Sequence, residues 1–198
     1  MGQSKTVDHI KSALLRPSLT SKFSVEIQSP TALLNFFNNT SGEEFNMSCS
    51  EASLPGVSLN TQEITDDRHG VTERNAYRRM YDDRIDLTFY VEGEKYTQIR
   101  YFENWINFIV GDDARDDRAA RNYDYQVKYP EEYKTQMRVT KFEKDHGLNL
   151  TYTFIDTYPI AVNSMPLSYG SSDLLKCTVS MTYLRYIVED HIGFLNLL

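Results

Sequence analysis

The sequence predicts a mainly β protein, an antiparallel β-sandwich or barrel flanked by one amphipathic helix. Apolar and polar residues alternate in several segments, as they do in a strand with one buried face. One segment near the middle of the chain changes to helical spacing. Tyrosine and phenylalanine occur 14 and 10 times, and both residue types suit half-buried pleated surfaces.

The length and charge of the chain limit the classes of protein to which it can belong. Its 198 residues fit one domain, and we expect a single domain over residues 1–198. The net charge of -7 disfavours nucleic-acid binding, because affinity for phosphate depends on Lys and Arg. No apolar run is long enough for a membrane span, and the N-terminus has no signal-peptide pattern. Cys49 and Cys177 lie in alternating segments and are expected to be buried free thiols.

In the first part of the chain, the sequence predicts one helix and two strands. Residues 6–16 have helical spacing and precede a proline, so they predict a short N-terminal helix. Residues 22–27, "KFSVEI", alternate and predict a strand. Residues 33–37 are expected to form a brief helical turn within a loop. Residues 44–52, "EFNMSCSEA", alternate again and predict a second strand.

The middle of the chain combines charged segments with the predicted helix. Residues 60–83 are polar without a clear period and predict a long loop, a kind of segment that is often functional. Residues 84–91 alternate and predict a strand. Residues 95–110 predict the amphipathic helix, and Gly111 is a candidate C-cap. The helical stripe is formed by Ile99, Phe102, Ile106 and Ile109, with Trp105 beside it.

The last part of the chain predicts long strands. Residues 135–143 and 148–154 indicate a hairpin of two such strands. Residues 173–190 alternate well enough to predict one strand of about fifteen residues, whereas strands usually have about 5–6. Residues 189–198 then form an additional C-terminal tail. A strand longer than its own domain requires is able to pair with a neighbouring molecule.

No segment predicts catalysis or metal binding. The four histidines lack a second His or Cys at ligand spacing, and no nucleophile elbow or phosphate-binding loop is present. Acidic doublets such as residues 112–113 each have an arginine within two residues, which favours a solvated surface over an ion site. We therefore predict no enzymatic activity, no cofactor and no metal.

Five stretches occur in an order that is informative as a set. They are "RPSLTSKFSVEI", "FNMSCSEASLPGVSLNTQEI", "DDRIDLTFYVEGEKYTQIRYFENWINFIVG", "PEEYKTQMRV" and "DTYPIAVNSMPLSYGSSDLLKCTVSMTYLRY". This ordered set resembles the tail tube proteins of contractile-tailed (myovirus) bacteriophages, which are related to the type VI secretion tube protein. The resemblance spans roughly residues 14–188.

The resemblance implies a structural virion protein. It implies hexameric rings that stack into the hollow inner tube of a contractile tail, with the long hairpin pairing between subunits. Its implied partners are other copies of itself, the contractile sheath protein, and baseplate and tail-terminator proteins. Viral DNA would pass through the lumen at ejection without specific binding. The implied location is the virion, and the host cytoplasm before assembly.

Two other functions remain open. A baseplate tube-initiator protein shares the same fold. A monomeric carbohydrate-binding β-sandwich is the alternative from another class, given the many tyrosines.

The tube interpretation assigns two sets of site residues. Polar strand faces would line the lumen, which we expect to be neutral to acidic because many basic contacts would retain DNA. The lumen-facing candidates are Asn149, Thr151, Thr153, Lys176, Thr178, Ser180 and Thr182. The segment 60–83 would supply subunit contacts, since Arg and Tyr are favoured at interfaces. The subunit-interface candidates are Asp66, Asp67, Arg68, Arg74, Tyr77, Arg78 and Arg79.

Overall fold

A computed structural model describes residues 18–34, 42–65, 70, 72–111, 126–143, 149–170 and 173–191. The described residues form the strands β1 (Phe23–Ile27), β2 (Cys49–Ala52), β3 (Val57–Ile64), β4 (Glu73–Tyr81), β5 (Arg84–Tyr90), β6 (Thr135–Phe142), β7 (Asn149–Val162), β8 (Lys176–Thr182) and β9 (Arg185–His191). They also form the helices α1 (Gly42–Met47), α2 (Thr97–Val110) and α3 (Pro130–Tyr133).

Some predicted segments lie partly or wholly outside the described residues. They are the N-terminal helix at 6–16, residues 112–124 of the charged segment, and the tail beyond residue 191. Of the turn predicted at 33–37, residues 33–34 belong to a 3₁₀ turn at 31–34, and residues 35–37 are not described.

Seven antiparallel strands build the main sheet, and β7 is its central element. The order is β1-β6-β7-β8-β5-β2, and β9 also pairs with β7. Residues 149–155 of β7 pair with β9, whereas residues 158–162 pair with β8. β8 and β9 therefore follow each other along one side of β7 and form with it a bent two-stranded ribbon. The bend includes Asp156, whose φ of 58° is uncommon for a residue other than glycine.

The prediction of a single long strand at 173–190 is wrong in one respect. The segment forms two seven-residue strands, β8 and β9, interrupted at residues 183–184. The interruption coincides with the bend of β7, where the Leu184 N–H donates to the Ile155 carbonyl at 3.0 Å. The long strand is thus divided because the ribbon changes direction to enclose the core.

The predicted hydrophobic alternation explains the core. In β5 and β8, alternate residues are fully buried and pair across the strands, as Leu87 does with Val179. In β6 and β7, Met137 pairs with Phe154 on the same inner side. The predicted fold class, an antiparallel β-sandwich or barrel with a helix against it, is confirmed.

The predicted amphipathic helix is also confirmed. α2 spans Thr97–Val110 and ends at Gly111, whose φ of 77° requires the left-handed conformation that glycine adopts without strain. Trp105 is fully buried, and its indole Nε1 donates to the Tyr133 carbonyl at 3.1 Å. This bond connects α2 to the short helix α3.

The prediction of a strand at 44–52 is wrong for the first half of the segment. Residues 42–47 form helix α1, and only Cys49–Ala52 form a strand. Phe45 is buried against Phe89 and Tyr101, whereas Met47 is 83 % exposed. A strand would place these two side chains on the same face, so packing of Phe45 into the aromatic cluster favours the helix.

Candidate subunit interface

The segment 60–83, predicted as a loop, belongs instead to a hairpin of β3 and β4. These two strands form a separate two-stranded sheet. The sequence signal was missing because nearly all of their side chains are exposed, so that no hydrophobic alternation marks the strands. An isolated two-stranded hairpin is marginally stable in water, and a hairpin in this position is therefore expected to need further contacts.

The base of this hairpin is attached to the core. The Gly56 N–H donates to the Asp82 carboxylate at 2.7 Å, which joins the start of β3 to the end of β4 at the base of the hairpin. The Arg79 guanidinium lies 4.8 Å from the ring centroid of Tyr81 and 5.5 Å from that of Tyr186. The contact with Tyr186, which belongs to β9, links the hairpin to the main sheet.

The hairpin presents apolar side chains to solvent along its length. Leu59 is 63 % exposed and Tyr77 is 66 % exposed. Val57, Ile64 and Met80 are also exposed. The register shifts between Asn60 and Thr61, which leaves Tyr77 as the additional residue of a β-bulge. Bulges redirect side chains, and exposed apolar residues on a protruding element are typical of protein contact surfaces.

The structure places the predicted interface residues in different roles. Arg74, Tyr77, Arg78 and Arg79 all lie on β4 and are exposed. Arg74 forms an ion pair with Glu63 on the facing strand, with 2.8 Å between Nε and Oε1. Arg79 supports the hairpin base. Asp66, Asp67 and Arg68 lie outside the described residues.

Several strand edges of the main sheet are unpaired within the described part of the chain. β1, β2, β9 and residues 158–162 of β7 each have a strand partner on one side only. β9 carries the exposed residues Ile187 and Val188. An unpaired edge exposes backbone N–H and C=O groups that are able to pair with a strand of another molecule. The sequence does not mark β9 as a separate edge strand, because its apolar residues Tyr186, Ile187 and Val188 are consecutive and do not alternate with polar ones.

The predicted lumen-facing residues on β7 and β8 differ in exposure: Thr151 and Ser180 are buried at 8 % and 6 %, and Lys176 alone among the seven is exposed. Thr151 and Thr153 belong to β7, and the hydroxyls of Thr151 and Thr140 lie 3.2 Å apart. On β8, the Thr178 hydroxyl lies 3.1 Å from that of Thr88, and Thr182 donates to the Asp83 carbonyl. Hydrogen bonds between side chains thus satisfy much of this polar surface.

The charges on this face are largely balanced. Lys176 lies 3.3 Å from the Glu51 carboxylate and 5.5 Å from the ring centroid of Tyr90. The Ser180 hydroxyl donates to Asp86 and is nearly buried. Asn149 differs, because its Oδ1 is buried without a hydrogen-bond donor among the described residues.

The described residues show no arrangement suited to catalysis or metal binding. No group of three potential metal ligands occurs among them. Burial raises the pKa of Cys49 to about 12 and that of Cys177 to about 11, so both thiols stay protonated and weakly nucleophilic at neutral pH. None of the described helices is long and apolar enough to cross a membrane.

The loop between β7 and β8 is a further exposed apolar feature. Leu167, Tyr169 and Leu174 extend from it with little cover. The sequence predicts this segment only as a loop containing two prolines. Its large apolar side chains were the available signal.

Comparisons with solved structures support the fold. A chain of the PVC sheath–tube complex, an extracellular contractile injection system in its extended state, has a TM-score of 0.57 and 17 % identity. The match covers 94 % of this chain and 99 % of that chain. A chain of the anti-feeding prophage cap has a TM-score of 0.57 and 16 % identity, covering 88 % and 91 %. A chain of the anti-feeding prophage baseplate has a TM-score of 0.55 and 15 % identity, covering 87 % and 95 %.

A comparison with curated proteins gave no match. The family model described as phage tail tube protein matches residues 18–189, which include the hairpin and all of the main sheet except the last two residues of β9. Proteins of this family are structural components, in agreement with the prediction that the chain is not an enzyme. A match over most of the sequence, together with the shared fold, shows that the chain belongs to the phage tail tube protein family.

Proposed function

We propose that this chain is the repeating subunit of the inner tube of a contractile phage tail. In this proposal, six copies form a ring, rings stack into a hollow tube, and the tube conducts DNA at ejection. A contractile sheath surrounds the tube, and baseplate and terminator proteins contact its ends. The subunit is located in the virion, and in the host cytoplasm before assembly. Family membership and the fold shared with a sheath–tube complex support the proposal.

The hairpin of β3 and β4 is the observation that carries the proposal. It leaves the sandwich as an exposed two-stranded element with apolar residues on its surface. Contacts with a neighbouring subunit would bury these residues and complete an element that is marginal alone. In this proposal the hairpin docks onto a different part of the next subunit, so the contact is heterologous. When the rotation that relates neighbouring subunits closes after a full turn, such contacts produce a ring.

The unpaired sheet edges supply the second kind of contact. Strand addition between β9 or β7 of one subunit and an edge of the next would continue the sheet around a ring. Closure would remove edges that otherwise promote aggregation.

The lumen in this proposal is lined by the polar faces of β7 and β8. Threonine side chains dominate them, and Lys176 is compensated by Glu51. Few uncompensated positive charges would then be available to phosphate, and DNA would pass without being retained. Substituting Thr178→Lys should leave assembly intact but make tubes retain labelled DNA in a salt-dependent way. Thr178 is preferable to Ser180 for this test, because Ser180 is nearly buried.

Negative-stain electron microscopy across a concentration series tests the proposed function. Hollow filaments of uniform diameter are expected from the parent chain. Deletion of residues 66–74, at the outer end of the hairpin, should yield folded subunits that do not polymerise. Normal tubes from the deletion variant would remove the hairpin from the interface.

The same experiment separates the two alternatives. Single rings that never stack would favour a tube initiator, a function compatible with the fold shared with a baseplate chain. A monomer at all concentrations that binds glycans saturably would favour the carbohydrate-binding sandwich and overturn the tube proposal.

A further inference from the structure

An apolar cleft lies at one end of the sandwich, where β1, β6 and the start of β7 face β2. Its volume is about 790 Å³, which is in the range of cavities that enclose a ligand. The apolar side chains that line it are Leu19, Phe23, Ala52, Leu54, Val139 and Leu150. An apolar cleft of this size is costly to leave in water, so an occupant is expected.

The polar groups around the cleft do not suggest a charged ligand. The Lys141 ammonium already donates to the carbonyls of Ser21 and Phe142, at 2.9 and 2.7 Å, and lies 3.6 Å from the Glu143 carboxylate. The buried Asn149 Oδ1 lacks a donor among the described residues, and Asn149 also lines the cleft. The carboxylates that also line the cleft, Glu51 and Glu143, already face Lys176 and Lys141. The cleft thus offers an apolar wall and, in Asn149 Oδ1, an acceptor without a donor among the described residues.

The strand register brings the end of β9 to this cleft. His191 pairs with Asn149, and Asp190 pairs with Leu150, so the last residues of β9 lie beside two residues of the cleft wall. Residues 192–198, "IGFLNLL", follow directly and lie outside the described residues. Five of these seven residues are large and apolar, and none is charged.

The tail is long enough to fill the cleft of its own chain. Strands in a sheet lie about 4.8 Å apart, so the path from β9 across β7 and β6 to β1 is about 14 Å. Seven extended residues span up to about 24 Å. The segment that precedes Ser18 is a poorer candidate, because residues 5–16 carry several charges that suit a solvated helix.

We infer that residues 192–198 dock into the cleft of the same chain, with their apolar side chains against β1, β2 and β6 and a backbone N–H donating to Asn149. The docked tail would cover the apolar side chains that line the cleft. This contact is internal to one chain, so it does not depend on tube assembly.

Photo-cross-linking in the full-length chain tests the inference. A benzophenone amino acid replaces Leu54, which lines the cleft and is half exposed; the matched control carries it at the exposed position Leu167. Mass spectrometry should find cross-links from position 54 to residues 192–198, and none from position 167. Cross-links to residues 1–17 instead, or none to the tail, would overturn the inference. In a mixture of isotope-labelled and unlabelled chains, cross-links between two chains would also overturn it.

Amide hydrogen exchange provides a second readout in case the cross-linker disturbs the cleft. The substitution Leu195→Asp should accelerate exchange at residues 50–54 and 192–198 at least about tenfold, because an aspartate is expelled from an apolar cleft. The control Leu184→Asp alters an exposed leucine at the bend and should leave both segments unchanged. Unchanged exchange in Leu195→Asp would show that the tail lies elsewhere.

Discussion

Tyr77 offers the sharpest test of the hairpin as an interface. Its side chain is 66 % exposed in the single chain, at the bulge of β4. A buried aromatic residue covers about 200 Å², so a neighbouring subunit could cover about 130 Å² of Tyr77. At about 25 cal/mol per Å², this area corresponds to about 3 kcal/mol for each subunit contact. Tyr77→Ala should therefore weaken association roughly 150-fold.

The assay is the critical concentration for polymer formation, measured by sedimentation and light scattering. The unfolding free energy of the subunit should change by less than about 0.5 kcal/mol, because the side chain is exposed in the single chain. Tyr129→Ala is the control, since Tyr129 is 78 % exposed but lies before α3 and away from the hairpin. Equal critical concentrations for Tyr77→Ala and the parent chain would refute the reasoning, as would a large loss of subunit stability.

Three predictions concern the subunit itself. Gly111→Ala should lower the unfolding free energy by about 1–2 kcal/mol, measured by urea titration. The φ of Gly111 is 77°, and an added Cβ would lie 2.8 Å from the Gln126 carbonyl oxygen. Gly93→Ala is the control and should be near neutral, because its added Cβ would meet open space. Trp105→Phe should cost about 1–3 kcal/mol by leaving the Tyr133 carbonyl without its donor, and an unchanged urea midpoint would contradict this. Because burial raises the pKa values of Cys49 and Cys177 from 9.0 to about 12 and about 11, the contribution of these thiols to the unfolding free energy should be constant below about pH 8 and fall as pH rises toward 11 and 12. Buried tyrosines such as Tyr183 add a fall in the same range, so an alkaline profile that is unchanged when both cysteines are replaced by alanine would contradict the prediction.

The sequence correctly predicted those strands and helices in which apolar residues on one buried face alternate with polar residues on the other. Leu87, Val179 and Phe154 alternate with polar residues because one face of each strand packs against the core. α2 and its end at Gly111 follow from helical spacing and from the conformational freedom of glycine. These patterns are local, and the sequence displays them directly.

The remaining features depend on contacts that the sequence does not display. The hairpin of β3 and β4 is exposed on both faces, so its strands lack the alternation that identified the others. The helix at Phe45 depends on packing against the distant Phe89 and Tyr101. The bend between β8 and β9 depends on β7. For the candidate interface, the many charged and aromatic residues of the segment 60–83 indicated a contact surface. That this segment belongs to a hairpin was apparent only from the structure.

The ribbon of β7 with β8 and β9 also has a consequence for how the subunit is made. Phe23 pairs with Lys141, and Arg84 pairs with Thr182, so the sheet closes by contacts between distant parts of the chain. Such high contact order makes folding slow, and a newly synthesised chain exposes unpaired strands until β8 and β9 arrive. The yield of native subunits should therefore depend on how fast this late pairing is relative to aggregation. Slower synthesis at lower temperature should favour pairing and raise the yield of native subunits.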